Sequence, residues 1–263
     1  MTYDNSWMSN SAALVEAYAQ HNDGVLGMLR QRLLARALEA HMAPWPQRVI
    51  DVGGGAGYQA IELARAGHDV VLLDPDPAML RAAEERLAAE DAGVRGRVRT
   101  VLGYGEDAPS LVGEGGFDVV CCHGILMYLP EPAGLLRVLT RLAAPGGLLS
   151  VLAINREAIA MRPAMRGRWA DALAGLESGV EEGGHNLAHR ADLVEEVSGI
   201  LADAGAPAIT WYGLRLFSDH LGDVPPGPDF DDLCELEWRA GARDPYRRLG
   251  RLFHVLARRS RTM

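Results

Sequence analysis

Three glycines spaced two apart, Gly53, Gly55 and Gly57, follow directly on the apolar run Val49-Ile50-Asp51-Val52 and precede a helix-forming stretch, Gln59 to Arg65. A buried strand that stops in such a turn and restarts as a helix leaves few architectures open. Without a Cβ these positions can take positive φ and let a ligand lie against the backbone, at a cost in chain entropy of roughly 0.5–1 kcal/mol each. The following helix aims its unpaired N–H groups and the positive end of its dipole back at that ligand, which favours an anionic or polar group.

Counted from Asp51 the turn is D-x-G-x-G-x-G; counted from Gly55 it is G-x-G-x-x-A, ending at Ala60, which passes as a dinucleotide fingerprint. Asp74 closes a second apolar run, Asp69 to Leu73, about 20 residues further on. A carboxylate there can accept both hydroxyls of a ribose, each charge-assisted bond being worth roughly 1.5–3 kcal/mol. That chemistry serves an adenosyl group and a nicotinamide dinucleotide equally.

Beyond this point strands and helices alternate: helix 57–66, strand 69–74, helix 77–91, strand 98–102, a short helix near 107–112, strand 117–123, helix 132–143 and strand 148–155. The alternation predicts right-handed crossovers and a parallel sheet covered on both faces, with the ligand crevice outside the carboxyl ends of the strands. Ahead of it, residues 9–42 carry Leu14, Val15, Tyr18, Leu26, Leu29, Leu33, Leu34, Ala37 and Leu38 at helical spacing, broken near Asn22-Asp23-Gly24, as expected for a helical cap. Behind it, residues 156–187 break the alternation. Their Met161, Met165, Trp169, Leu173 and Leu176 follow helical spacing and predict a helical insert, either a lid over the acceptor side or packed core. A helix near 190–204, a strand 208–217, a helix 229–241 and a last strand 251–258 follow; Tyr212, Arg215, Tyr246 and Arg247 could face the pocket. A chain of 263 residues, 48% apolar, suits one elaborated α/β domain over 1–263.

With Phe117-Asp118-Val119-Val120-Cys121-Cys122-His123 and the Pro145-Gly146-Gly147 turn in this order after Asp51 and Asp74, the chain resembles the class I S-adenosylmethionine-dependent methyltransferases. The resemblance implies a doubly wound, Rossmann-like, seven-stranded, mostly parallel sheet and S-adenosyl-L-methionine as cofactor. Gly27-Met28-Leu29-Arg30, the segment 214–219 and the closing Asp244 to Val255 are similar to a narrower family, the methyltransferases that esterify 5-carboxymethoxyuridine at the tRNA wobble position. From these resemblances Arg30 would reach the methionine carboxylate, Asp51, Gly53, Gly54 and Gly55 would form the turn under the cofactor, Asp74 would hold the ribose, and Glu106 and Asp107 would meet the adenine amino group. His123, at a strand end, would contact the cofactor or act as a base toward the acceptor, with Tyr128 second in that role.

Charge bears on the acceptor. The net charge is −9, and all 26 basic residues are arginine. Nucleic-acid binders normally display a basic patch, and where the tRNA enzymes carry lysines in the insert this chain has Glu177, Glu181 and Glu182. A small-molecule acceptor methylated on oxygen or nitrogen is therefore expected first, tRNA carboxyl methylation second, and a catalytically inactive cofactor-binding module last. Cys121, Cys122 and Cys234 offer no C-x-x-C spacing, and His185 and His189, four apart, have no third ligand beside them, so no metal is expected. No apolar run approaches a membrane span and no secretory layout opens the chain, which predicts a cytoplasmic protein. The assembly state is not encoded in any pattern found.

Overall fold

The computed structural model describes residues 11–182, 188–222 and 224–261. Helices α1 (Ser11–Asp23) and α2 (Val25–His41) lead into β1 (Arg48–Val52), α3 (Tyr58–Arg65), β2 (Asp69–Asp74), α4 (Pro77–Ala88), α5 (Ala92–Arg95), β3 (Val98–Leu102), α6 (Ala108–Val112), β4 (Phe117–His123), α7 (Ala133–Leu142) and β5 (Ala143–Ile154). The insert holds α8 (Met161–Met165), α9 (Trp169–Ser178) and the strands β6 (Val180–Glu182) and β7 (Ala188–Arg190); α10 (Val194–Asp203), β8 (Ala208–Leu214), α11 (Phe230–Gly241) and β9 (Leu252–Arg258) close the chain.

The seven-stranded sheet runs β3-β2-β1-β4-β5-β9-β8, parallel except that β9 is antiparallel to both neighbours. Its central strands are apolar on both faces because both are covered. Val49, Val119, Cys121 and Leu148 pack with α2, α3 and α4, while Ile50, Val120, Cys122 and Leu149 pack with α7 and α10. Adjacent Cys121 and Cys122 thus point to opposite faces, as the pleat requires. Chain order reverses between β1 and β4, which opens a crevice beyond their carboxyl ends.

Several boundaries differ from the sequence-based expectation, each for a local reason. The helix predicted over 77–91 stops at Ala88 because Asp91 caps a new turn, its Oδ1 accepting from Val94 N at 2.9 Å. The strand predicted to begin at 148 starts at Ala143, and the Pro145-Gly146-Gly147 turn is taken up as an irregularity in its pairing with β4. The strand predicted to run to 217 ends at Leu214, where Arg215 turns to φ 61° and the N–H groups of Leu216 and Phe217 donate to the buried Glu237 carboxylate.

The insert departs further. Its two helices are followed by a short antiparallel strand pair that the periodicity did not foretell. The stripe is not core: Met161 is 39% exposed and Met165, Trp169, Leu173 and Leu176 are 60–67% exposed, and α9 instead buries Ala172 and Gly175. Residues 183–187, including His185, lie outside the described residues. Among the described residues no helix is long and apolar enough to cross a membrane, and no three His, Cys, Asp or Glu side chains gather where they could hold a metal ion.

Candidate functional site

The turn after β1 is tied to the end of β2: Gly53 N donates to Leu73 O at 2.7 Å, and Gly55 N to Asp74 Oδ2 at 2.9 Å. Gly53, Gly55 and Gly57 take φ of 71°, 55° and 78°, in the left-handed region that side chains disfavour. A Cβ on Gly53 would also lie 2.3 Å from Ile125 Cδ1. Asp74 uses its other oxygen to accept from Asp76 N at 2.9 Å, and Asp76 in turn caps α4 by accepting from Ala78 N. Each Asp74 oxygen keeps accepting capacity, so hydroxyl donors can still be received.

Around this turn lies a cavity of about 200 Å³ whose lining includes Tyr18, Arg30, Gly53, Gly55, Asp74, Glu106, His123, Ile125 and Tyr128. A narrow recess beside it is lined by Arg30, Asp51, Gly53, Gly54, Tyr58 and His123. The two share Tyr18, Arg30, Gly53 and His123, so the expected site residues converge on one place. Asp107 does not: it is exposed in the turn after β3 and lines neither space.

The N-terminal helices reach the cavity through the predicted break. Asn22, almost fully buried, donates to Tyr18 O at 2.7 Å and accepts from Arg30 Nη2 at 2.8 Å. That bond holds the Arg30 guanidinium over the glycine turn, with its Nε buried and unpartnered. Tyr18 lies against Gly55 and meets Tyr58 edge-on at 5.9 Å. The sequence marked Tyr18 only as part of a helical stripe and Tyr58 not at all as a site residue, because a half-buried aromatic on a helix looks the same whether it covers a ligand or a core.

Electrostatics in the recess are unbalanced. Burial pushes the Asp51 carboxyl up to about 7, Asp74 adding to the rise and Arg30 opposing it; Asp51 Oδ2 has no hydrogen-bond partner. Burial also raises Asp74 to about 6, outweighing the two N–H groups it accepts. Such a pair favours a cationic or hydrogen-bond-donating ligand, which would restore both charges.

His123 is part of a buried chain across three strands. Its Nε2 lies 2.8 Å from Ser150 Oγ, which lies 2.7 Å from His254 Nε2. Serine has one proton to give, so at least one of the two histidines donates to it. Burial, then His254 and Arg30, hold His123 well below its ordinary value, and burial takes His254 to about 3. Tyr128 is 47% exposed at the mouth of the cavity, and its phenol is raised by burial.

Of the four tail residues, Arg215 and Tyr246 line a different chamber, with Arg162 and Arg251. Tyr212 instead lies 2.9 Å from His41 Nε2, and Arg247 pairs with Asp244 over the Trp211 ring.

A family model described as a methyltransferase domain matches residues 50–149. A tRNA 5-carboxymethoxyuridine methyltransferase of Escherichia coli K12 is 31% identical over 240 residues, covering 89% of each chain. A ubiquinone biosynthesis O-methyltransferase of Methylococcus capsulatus is 33% identical over 119 residues, 45% of this chain and 48% of that one. Among solved structures, a SAM-dependent methyltransferase of Thermotoga maritima superposes with a TM-score of 0.61 at 15% identity, over 97% of this chain and 98% of the other. A geranyl diphosphate C-methyltransferase of Streptomyces coelicolor, holding S-adenosyl-L-homocysteine, gives 0.56 at 14% identity, over 86% and 78%.

Proposed function

The chain belongs to the class I S-adenosylmethionine-dependent methyltransferases, and from that footing we propose that it methylates a carboxylate oxygen of a small organic acid. S-adenosylmethionine supplies a methyl carbon made electrophilic by the attached sulfonium. The residues at the turn fit it: the unpartnered, charge-depressed Asp51 carboxyl suits its ammonium and sulfonium, and the positive-φ glycines leave room for its chain. In this reading Arg30 binds the methionine carboxylate, Gly53, Gly54 and Gly55 form the floor, Asp74 takes the ribose hydroxyls and Glu106 the adenine edge. Asp107 is left without a contact of its own. Residues 11–41 serve as a cap over the cofactor, within one methyltransferase domain.

The observation that supports the acceptor assignment is the weak basicity of the two groups expected to serve as base, His123 and Tyr128, the raised carboxyls of Asp51 and Asp74 being engaged with the cofactor in this reading. His123 binds a proton only weakly, and Tyr128 keeps its own. A hydroxyl or ammonium acceptor needs a base matched to its pKa. A carboxylate arrives already ionised, so the enzyme's task reduces to positioning, with Tyr128 available to donate to the acceptor at the mouth. His123 then acts as a shaped, neutral wall rather than as a base.

A second reading, carboxyl methylation of tRNA, is favoured by the relative that is 31% identical over 89% of both chains. Incubation with methyl-labelled cofactor separates the readings. Label on organic acids that mild alkali releases is the expected outcome; label on tRNA would replace the small acid, and alkali-stable label on phenols or amines would overturn ester formation altogether. His123→Gln is expected to keep kcat within about tenfold, whereas loss of a true base costs about 10²–10⁴.

A further inference from the structure

Three polar side chains, His123 at the end of β4, Ser150 in β5 and His254 in β9, share one face of the sheet. The register explains how: His123 and His254 are both paired with Leu152, two residues on from Ser150. The two rings meet edge to face at 5.6 Å, with the serine hydroxyl within hydrogen-bond reach of both Nε2 atoms. Ser150 and His254 are fully buried and line neither the cofactor cavity nor the recess beside it.

Polar groups inside a core cost free energy unless each is paired. Here two are left over: Nδ1 of His123 and Nδ1 of His254 have no hydrogen-bond partner among the described residues. Their surroundings differ. His123 lines both the cavity and the recess at the glycine turn, where a ligand group can meet it. The gap beside His254, bounded by Leu33, Tyr212, Leu214 and Trp238, is too small for a water molecule. Glu237, the one acid among the described residues lining that gap, already accepts from Leu216 N, Phe217 N and Ser218 Oγ, and the Tyr212 hydroxyl is engaged with His41.

Proton placement follows from this asymmetry. Burial holds both rings below their ordinary value, so each is neutral and carries one N–H. A buried N–H without an acceptor is rarer than a bare lone pair. His254 therefore keeps its proton on Nε2 and donates it to Ser150 Oγ, leaving only a lone pair at the closed Nδ1. The serine proton then has two acceptors within reach, His123 Nε2 at 2.8 Å and the Cys121 thiol on the neighbouring strand. Sulfur is the weaker of the two. The serine donates to His123, whose own proton must then sit on Nδ1.

We propose that His254 and Ser150 are positioning residues that hold His123 in its Nδ1–H form, so that the ring offers the ligand space a hydrogen-bond donor and not a lone pair. Such a donor suits a carboxylate oxygen. That this oxygen belongs to the acceptor, Arg30 taking the cofactor's carboxylate, rests on the function proposed above; the tautomer does not. ¹⁵N NMR of the full chain, labelled at histidine and saturated with adenosylhomocysteine, tests it, because protonated and bare ring nitrogens resonate far apart. His123 should show the Nδ1–H form in about tenfold excess or more, and His254 the Nε2–H form. His254→Leu should reduce the excess at His123 about tenfold while the backbone amide spectrum of the rest of the sheet, the check on folding, is retained; a merely structural role would leave the ratio where it was. An Nε2–H form of His123 in the wild-type chain, a measurement that needs no variant, would overturn the proposal, as would a ratio indifferent to His254→Leu. Methylthioadenosine in place of adenosylhomocysteine, lacking the amino-acid part, should leave the His123 Nδ1 resonance in place, and a large displacement would assign the donor to the cofactor and overturn its link to the acceptor. Failure to methylate any organic acid while the tautomer holds would overturn only the proposed function.

Discussion

Asp51 and Asp74 hold more protons in the folded chain than in the unfolded one, since their folded values near 7 and 6 lie above the ordinary carboxylate range. Stability from these two groups is therefore largest at low pH and declines as pH rises from about 4 to about 7. Asp51→Asn should raise the melting temperature of the unliganded protein at pH 8, by an amount equivalent to roughly 2–4 kcal/mol, and the gain should vanish near pH 4, where the native carboxyl is already neutral. Scans at both pH values check this; an equal gain at each would mean that charge burial is not the cause. The same substitution should weaken adenosylhomocysteine binding, and wild-type affinity should strengthen as pH rises through about 7, because the ligand's ammonium favours ionised Asp51. Asp74→Asn preserves much of the turn's shape while removing a charged acceptor for the ribose. Its expected cost is about 1.5–3 kcal/mol in adenosylhomocysteine affinity, and unchanged calorimetric affinity would show that the ribose is held elsewhere.

At the scale of elements, α9 shows what periodicity carries and what it omits. The spacing of Trp169, Leu173 and Leu176 predicts a shared apolar face, and that face is exposed, as is Met165 on α8 ahead of it. Which side of a helix is covered depends on what the fold sets beside it. Here Ile159 lies against Gly175, and small side chains allow that approach. Gly175→Ala should raise stability by about 1 kcal/mol through helix propensity, because the added Cβ would lie 3.6 Å from Ile159 Cγ2, an ordinary contact. Leu173→Gln should change stability by no more than about 0.5 kcal/mol. Chemical denaturation measures both, and a large loss for Leu173→Gln would mean that the stripe is covered in solution. Where β8 meets α11 the reverse holds: a Cβ on Gly241 would sit 2.3 Å from Gly213 O, so backbone contacts there leave no room for a side chain.

For the whole molecule, cofactor binding and folding are linked. Adenosylhomocysteine at a hundred times its dissociation constant should stabilise the chain by about 2.7 kcal/mol, a rise in melting temperature of about 5–10 °C for a domain of this size. NAD at the same concentration should produce none, and a shift with NAD alone would revive the dinucleotide frame of the glycines. The glycine turn and Asp74 were legible in the sequence because both belong to one local unit, a strand, its turn and the next strand's end, and the parallel sheet with its crevice because alternating strands and helices leave few topologies open. Cys121 and Cys122 lie on opposite faces for the same reason, the pleat being local. The separate chamber lined by Arg162, Arg215 and Arg251 was not legible. These arginines are separated by dozens of residues, and no spacing announces that an insert, a strand end and a strand start will meet around Asp219. Nor could the sequence tell that Ser150 and His254 would enclose His123 and keep it neutral, since the proton affinity of a side chain is set by the solvent and charges that distant segments bring to it or remove. What the chain by itself determined was the binding fold, through local backbone rules; what only the tertiary structure decided was the character of the acceptor side, through burial and long-range electrostatics.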